Sequence, residues 1–201
     1  MRSRPPDQYP LFDLETSYPN GFEYHPEFLT ADEENALVAA IEKLELRQAP
    51  FREYMANRRI ISFGWGYDDR TKSLVPGDPL PEFLSPLTQK LGNFIDLPAD
   101  HIVEALVTEY QPGTGVGWHR DNESFEKILG VSLSGWCKFE MRKLAEGSDF
   151  ESDKNIEPIS MTVEPRSLYV MQNDSRWKYQ HRVAPTKGLR YSITFRTLPA
   201  Q

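Results

Sequence analysis

Cys137 is the only thiol in the chain. A single cysteine excludes an internal disulfide and a zinc site built on cysteines, so a reducing, cytoplasmic compartment is expected. Long apolar runs are missing too. None approaches the ~20 residues that a membrane-spanning helix needs, and the opening MRSRPPDQYPLFDLE has no apolar stretch of the secretory kind. No membrane partner is therefore expected. Positive charge is also in deficit, with 23 Lys and Arg against 30 Asp and Glu. This argues against a general polyanion binder, whose phosphate contacts come from an excess of cations. Basic residues do cluster locally, at Arg58 and Arg59, at Lys138, Arg142 and Lys143, and between Arg176 and Arg190.

What is present suits one folded domain. The 201 residues are 39% hydrophobic and 12% aromatic, enough for two packed layers and a core. Residues 1–26 are rich in Pro and Tyr, carry no period, and read as an extended arm lying on the domain. FLTADEENALVAAIEKLEL reads as an amphipathic helix, capped by Thr30 with Glu33 completing a capping box. A second helix is expected from Ser85, with Pro86 in its first turn. Between the two, residues 56–81 read as a short strand and then a long loop. From residue 101 onward, short β-branched or aromatic runs alternate with Gly, Pro, Asn and Asp. The expected fold is α+β and mainly β, a sandwich or jelly roll backed by N-terminal helices. Residues 27–201 form its single domain, 27–100 holding the helices and 101–198 the β core. A monomer is expected.

The stretch GVGWHRDNES sets His119 and Asp121 two positions apart. Such a pair arises easily by chance in so acidic a chain. On a strand, however, residues i and i+2 point the same way. A second histidine on a neighbouring strand would give two imidazoles and one carboxylate on one face. That set leaves three positions open on an octahedral metal, as in non-haem Fe(II) oxygenases. The candidates are His25, His101 and His181. His25 lies in the arm and reads as a solvated or capping residue. His101 reads as a strand-boundary residue, which leaves His181, in the strand-like RWKYQHRVAP, as the natural third ligand.

The last expected strand, RYSITFR, adds a second constellation. Arg190, Ser192, Thr194 and Arg196 share one face, and Tyr191, Ile193 and Phe195 share the other. With the apolar face on a helix layer, two arginines would point inward and would need anions to meet them. Guanidinium pairs bidentately with carboxylates, so the two could grip the ends of a short dicarboxylate.

Together these residues resemble the AlkB family of Fe(II)/2-oxoglutarate dioxygenases, across roughly residues 27–198. The resemblance lies in VTEYQPGTGVGWHRDNE, LGVSLS, VEPRSLYVMQNDSRWKYQHRV and RYSITFR. The family pattern runs H-x-D, then a distal histidine, then an arginine with a second six residues on. The resemblance implies a double-stranded β-helix whose cofactors are Fe(II), 2-oxoglutarate and O2. It implies that His119, Asp121 and His181 bind iron and that Arg190, helped by Tyr110, pairs with the C5 carboxylate of 2-oxoglutarate. Arg196 would lie near the C1 carboxylate, and Thr194 shares its face. Thr108 and Ser192 stand where the family often has Asn, and both are shorter hydrogen-bonding side chains.

The implied reaction is oxidative dealkylation of N-alkylated bases, with alkylated single-stranded DNA or RNA as partner. The alternative is a 2-oxoglutarate-dependent hydroxylase or demethylase acting on protein, modified tRNA or a small metabolite, which the acidic composition favours. The candidate substrate lid is YMANRRIISFGWGYDD, where Trp65 and Tyr67 could stack on a base and Arg58 and Arg59 could meet phosphates. Each aromatic could equally pack on the barrel. Glu123 would project near the metal and contact a base edge, or stand in a solvated turn. Core packing is expected for Trp136, Cys137 and Met141.

Overall fold

The computed structural model describes residues 18–51, 54–68, 70–148, 151–153 and 155–199. In chain order the strands are β1 (Phe22–His25), β2 (Arg47–Phe51), β3 (Tyr54–Asp68), β4 (Ser73–Pro76), β5 (Ile102–Tyr110) and β6 (Val116–His119). They continue with β7 (Ile128–Leu133), β8 (Cys137–Lys143), β9 (Ile159–Val163), β10 (Leu168–Met171), β11 (Tyr179–Val183) and β12 (Arg190–Thr197). The α-helices are α1 (Ala31–Ile41), α2 (Ser85–Phe94) and the short α3 (Asn173–Trp177).

Two antiparallel sheets face each other as a jelly roll. The larger runs β1-β10-β7-β12-β5-β3-β2, with β4 attached to β3, and the smaller runs β6-β11-β8-β9. Helix α1 begins at the expected capping box: the Thr30 hydroxyl accepts from the Glu33 amide, and the Glu33 carboxylate accepts from the Thr30 amide. Helix α1 buries Leu37 and Ile41, and α2 buries Leu87 and Leu91. These four join one core with Val107, Val131, Tyr191, Ile193 and Phe195, so the helices cover the outer face of the larger sheet. A second core, between the sheets, contains Tyr110, Ile128, Phe139, Met141, Tyr169 and Val183. The alternation of β12 sorts its side chains as expected, with its odd-numbered apolar residues against the helices. Among the described residues, no helix is long and apolar enough to cross a membrane.

Three expectations need correction. The arm does not reach residue 26, because Phe22–His25 is strand β1, paired with β10 at the sheet edge. Phe22 also stacks on Phe139 and Tyr169. A four-residue strand between Pro19 and Pro26 has too few positions to display a period. Residues 1–17 of the arm lie outside the described residues. Secondly, the stretch read as a short strand and a loop is the 15-residue β3 followed by β4. Strand β3 pairs with β5 as far as Gly64 and with β4 from Trp65. Gly64 marks the change: its φ is +86°, and a Cβ there would lie 2.0 Å from the Val103 carbonyl oxygen. Thirdly, Trp136 is 45% exposed, whereas Cys137 and Met141 are buried as expected. It precedes β8, and the Lys187 ammonium lies 5.6 Å from its ring.

On the outer face of the larger sheet, Arg59 donates from Nε and Nη2 to the two carboxylate oxygens of Glu109, at 2.8 and 2.6 Å. Arg59 is the main reason the Glu109 carboxyl is held below its usual range. Such stability is complete above the ordinary carboxylate pKa and fades as pH falls through the folded value. Arg59→Ala should therefore cost about 2 kcal/mol in urea denaturation at pH 7, because a buried acceptor loses its donors while the lost arginine was itself half exposed. The deficit relative to wild type should narrow towards pH 4, as Glu109 of the variant takes up a proton.

Candidate metal centre

Strands β6 and β11 bring two histidines face to face. His181 is level with His119, and Val183 with Val116, so β6 carries one residue more than β11 between the two pairs. This bulge turns Val116 and His119, three positions apart, into the same cavity as Val183 and His181. Asp121 lies beyond the end of β6. The H-x-D triplet therefore spans a strand end, and the i, i+2 alternation expected of it is not what aligns the pair. The turn after Asp121 is held by Arg176 of α3, which is 1% exposed and donates to the carbonyls of Asn122 at 2.6 Å and Phe125 at 2.9 Å.

His119, Asp121 and His181 offer ligand atoms that all lie within 4.8 Å of one another. His119 Nδ1 lies 2.8 Å from the Gly117 carbonyl oxygen. Donation there puts the proton on Nδ1 and leaves the Nε2 lone pair free. His181 Nε2 stands 3.4 Å from Asp121 Oδ2, and that buried oxygen has no hydrogen-bond donor among the described residues. The His181 ring is stacked on Phe139.

The electrostatics keep Asp121 and His181 in ligand form. Burial works to raise the Asp121 carboxyl, but Arg196 foremost, then His181 and His119, holds it well below the usual range. Burial, reinforced by His119, pushes His181 down to about 3. At neutral pH the site thus presents a carboxylate beside a neutral His181 imidazole, which suits a divalent metal.

The two inward arginines of β12 have different surroundings. Arg196 donates from Nε and Nη2 to Asp121 Oδ1 and from Nη1 to Glu104 Oε2, the last at 2.8 Å. Ser62 of β3 donates to the other oxygen of Glu104. The expected grip on a dicarboxylate by both arginines is thus corrected: Arg196 braces Asp121 through Nε and Nη2, and its Nη1 is taken up by Glu104. Arg190 has no such partner. It is 2% exposed, donates from Nε to Ser132 Oγ at 3.0 Å, and lies 5.0 Å from the Tyr110 ring. Among the described residues it faces no carboxylate, and its Nη1 is buried without an acceptor. A buried guanidinium in that state fits an incoming carboxylate.

Thr108, Tyr110, Thr194, Arg196 and Arg58 line the cavity with the three metal candidates. Ser192 is buried beside them on β12, level with Ser132 and Thr108. Arg59 points to the opposite face of the sheet, towards Glu109. Trp65, 40% exposed, and Tyr67, partly buried, lie on the β3–β4 hairpin. Glu123 is exposed in the turn after Asp121. Sequence reasoning missed Glu104, Ser132, Tyr169 and Arg176. Only Arg176, in its run of basic residues, gave any signal, and that signal read as surface charge.

This is the donor set of a mononuclear iron oxygenase with one cationic anchor for an acidic cosubstrate. Comparison with known proteins agrees. The family model for the 2OG-Fe(II) oxygenase superfamily matches residues 21–196. The chain belongs to that superfamily and is AlkB-like within it; the superfamily uses Fe(II), 2-oxoglutarate and O2. An uncharacterised protein of Acanthamoeba polyphaga mimivirus is 27% identical, over 89% of this chain and 85% of its own length. The zebrafish (Danio rerio) probable RNA/DNA demethylase ALKBH6 is 25% identical, over 80% of this chain and 68% of its own. The mouse (Mus musculus) tRNA (carboxymethyluridine(34)-5-O)-methyltransferase ALKBH8 is 27% identical, but the match spans only 25% of that protein. Among solved structures, OsALKBH1 superposes with a TM-score of 0.64 at 16% identity, covering 88% of this chain and 96% of its own. A Pseudomonas putida prolyl-4-hydroxylase does so with a TM-score of 0.57 at 20% identity, covering 90% and 94%.

Asp121→Ala should abolish binding of Mn(II), used as a redox-silent substitute, in anaerobic calorimetry. Arg196→Lys, which cannot bridge Asp121 and Glu104 with a fork of donors, should weaken that binding by about 10- to 100-fold. Unchanged Mn(II) affinity in Arg196→Lys would remove Arg196 from the metal's support.

Proposed function

We propose that the protein oxidatively removes alkyl groups from N-alkylated bases of single-stranded DNA or RNA, releasing formaldehyde and succinate. Arg58 is the observation that carries this reading. It lines the metal-candidate cavity on β3 and makes no ion pair among the described residues. A cation so placed suits a phosphate flanking a base that points at the metal. Exposed Trp65 follows on the same strand and offers a stacking face. The name of the zebrafish relative, a probable RNA/DNA demethylase, points the same way.

In this reading His119, Asp121 and His181 hold Fe(II). Arg190 and Tyr110 take the C5 carboxylate of 2-oxoglutarate, with Thr108, Ser192 and Thr194 as the polar wall between them and the metal. Arg196 keeps Asp121 ionised and correctly turned. When bound, iron and 2-oxoglutarate supply an O2-driven oxidation of a substrate C–H, and on an N-methyl group the oxidised carbon departs as formaldehyde. The protein's part is to orient the groups and to exclude water.

A second reading, oxidation of a small anionic metabolite or a protein side chain, is favoured by the Arg59–Glu109 pair. That pair removes one of the two adjacent cations from the lid, and a single arginine is enough for a small anion.

Methylated single-stranded DNA and RNA oligonucleotides, incubated with the iron-loaded protein and 2-oxoglutarate, should lose methyl groups and yield formaldehyde, and His119→Ala should yield none. Arg58→Ala should raise KM for the oligonucleotide about tenfold and flatten the log–log salt dependence of binding by about 0.7. Turnover of 2-oxoglutarate without demethylation of any oligonucleotide would transfer the assignment to the second reading.

A further inference from the structure

The register of the larger sheet puts a tyrosine on the row between the two inward arginines of β12. Along the inner face of β12 the order is Arg190, Ser192, Thr194, Arg196. Thr194 is level with Gly130 of β7, and Gly130 is level with Tyr169 of β10. Tyr169 therefore enters on the row between the two arginines, beside the segment that joins the Arg190 anchor to the Asp121 end.

Gly130 makes this possible. It is the one position on the inner face of β7 without a side chain, between Ile128 and Ser132. A Cβ there would lie 2.0 Å from Tyr169 Cζ and 2.4 Å from its hydroxyl oxygen. The phenol thus lies across the backbone of β7 with its hydroxyl end over Gly130, reaching towards β12. Its root is fixed by Phe139, with ring centroids 4.8 Å apart, and by stacking on Phe22. The ring is 7% exposed and lines the cavity that holds His119, Asp121 and His181. Burial, and then the Asp121 carboxylate, raises the phenol above its ordinary pKa, so it stays a neutral donor at any working pH.

We propose that Tyr169 is a positioning residue for the cosubstrate, whose ring walls the channel between Arg190 and the metal site and whose hydroxyl donates to a cosubstrate carboxylate. It acts as a length gauge for a five-carbon 2-oxo diacid. The proposal rests on the superfamily's cosubstrate and is independent of which substrate is oxidised.

Binding is measured without turnover, by anaerobic calorimetry of 2-oxoglutarate and of its six-carbon homologue 2-oxoadipate on the Mn(II)-loaded full chain. Tyr169→Phe, which keeps the ring and drops the donor, should bind 2-oxoglutarate about tenfold more weakly, the loss of one hydrogen bond to a charged group. Tyr169→Ala should narrow or reverse the preference for 2-oxoglutarate over 2-oxoadipate. Gly130→Ala should weaken 2-oxoglutarate binding by driving the phenol into the channel, and Gly130→Ala/Tyr169→Ala should bind it no more weakly than Tyr169→Ala alone, because the clash is gone. Mn(II) affinity, read in the same titrations, should be unchanged in Tyr169→Phe. An unchanged 2-oxoglutarate affinity in Tyr169→Phe, or an unchanged chain-length preference in Tyr169→Ala, would overturn the proposal and leave Tyr169 a core residue.

Discussion

Asp121 keeps its charge where water does not reach, because Arg196 lies against it. The guanidinium is shared with Glu104, which is in turn held by Ser62. One side chain thus ties the loop after β6 to β12, β5 and β3. The trio of two carboxylates and one guanidinium carries a residual negative charge beside a neutral imidazole. At the other end of the same strand, Arg190 carries a buried positive charge with no carboxylate in reach among the described residues. The barrel interior is therefore polarised along β12, negative at the Asp121 end and positive at the Arg190 end. A divalent cation and an acidic chelating cosubstrate would neutralise these two ends in one arrangement.

Strand β12 can carry this polarity because β7 and β5 flank it on either side. Its outward residues Tyr191, Ile193 and Phe195 are sealed by the helix layer, and on the inward face Arg190 and Ser192 are buried while Thr194 and Arg196 are partly so. The neighbours then determine what each one does. Ser132 on β7 gives Arg190 an acceptor without neutralising it, and Tyr110 on β5 gives it an aromatic face. An edge strand with the same sequence would have put both arginines in water, where neither would need a ligand.

Much of this was legible in the sequence wherever a signal repeats along one strand or helix. The alternation of RYSITFR told its two faces apart, the Thr30–Glu33 spacing marked the start of α1, and His181 stood out because only four histidines exist. What was not legible depends on register between distant strands. Glu104 sits in an ordinary β run, and nothing in IVEALVTEY says that it lies level with Arg196. Without that partner, Arg196 looked free for the cosubstrate. Arg59 looked equivalent to Arg58, yet alternation on β3 sends the two to opposite faces, one to Glu109 and one to the cavity. Trp136 looked like core because it lies on or beside an expected strand, but it precedes β8 and escapes the alternation.

The two features that shape the site most are both interruptions of a regular sheet. On an unbroken ladder, Val116 and His119 are three positions apart and fall on opposite faces. The extra residue in β6 cancels that parity and brings His119 level with His181. On an unbroken inner face, β7 would present a side chain at position 130, and the Tyr169 ring could not cross it. A hydrogen atom there leaves room for a phenol rooted two strands away from β12. The bulge sets where the His119 imidazole points, and the missing side chain at Gly130 leaves the room that the Tyr169 ring fills. The regular parts of the sheet supply charge and rigidity, whereas its two irregularities supply aim and size.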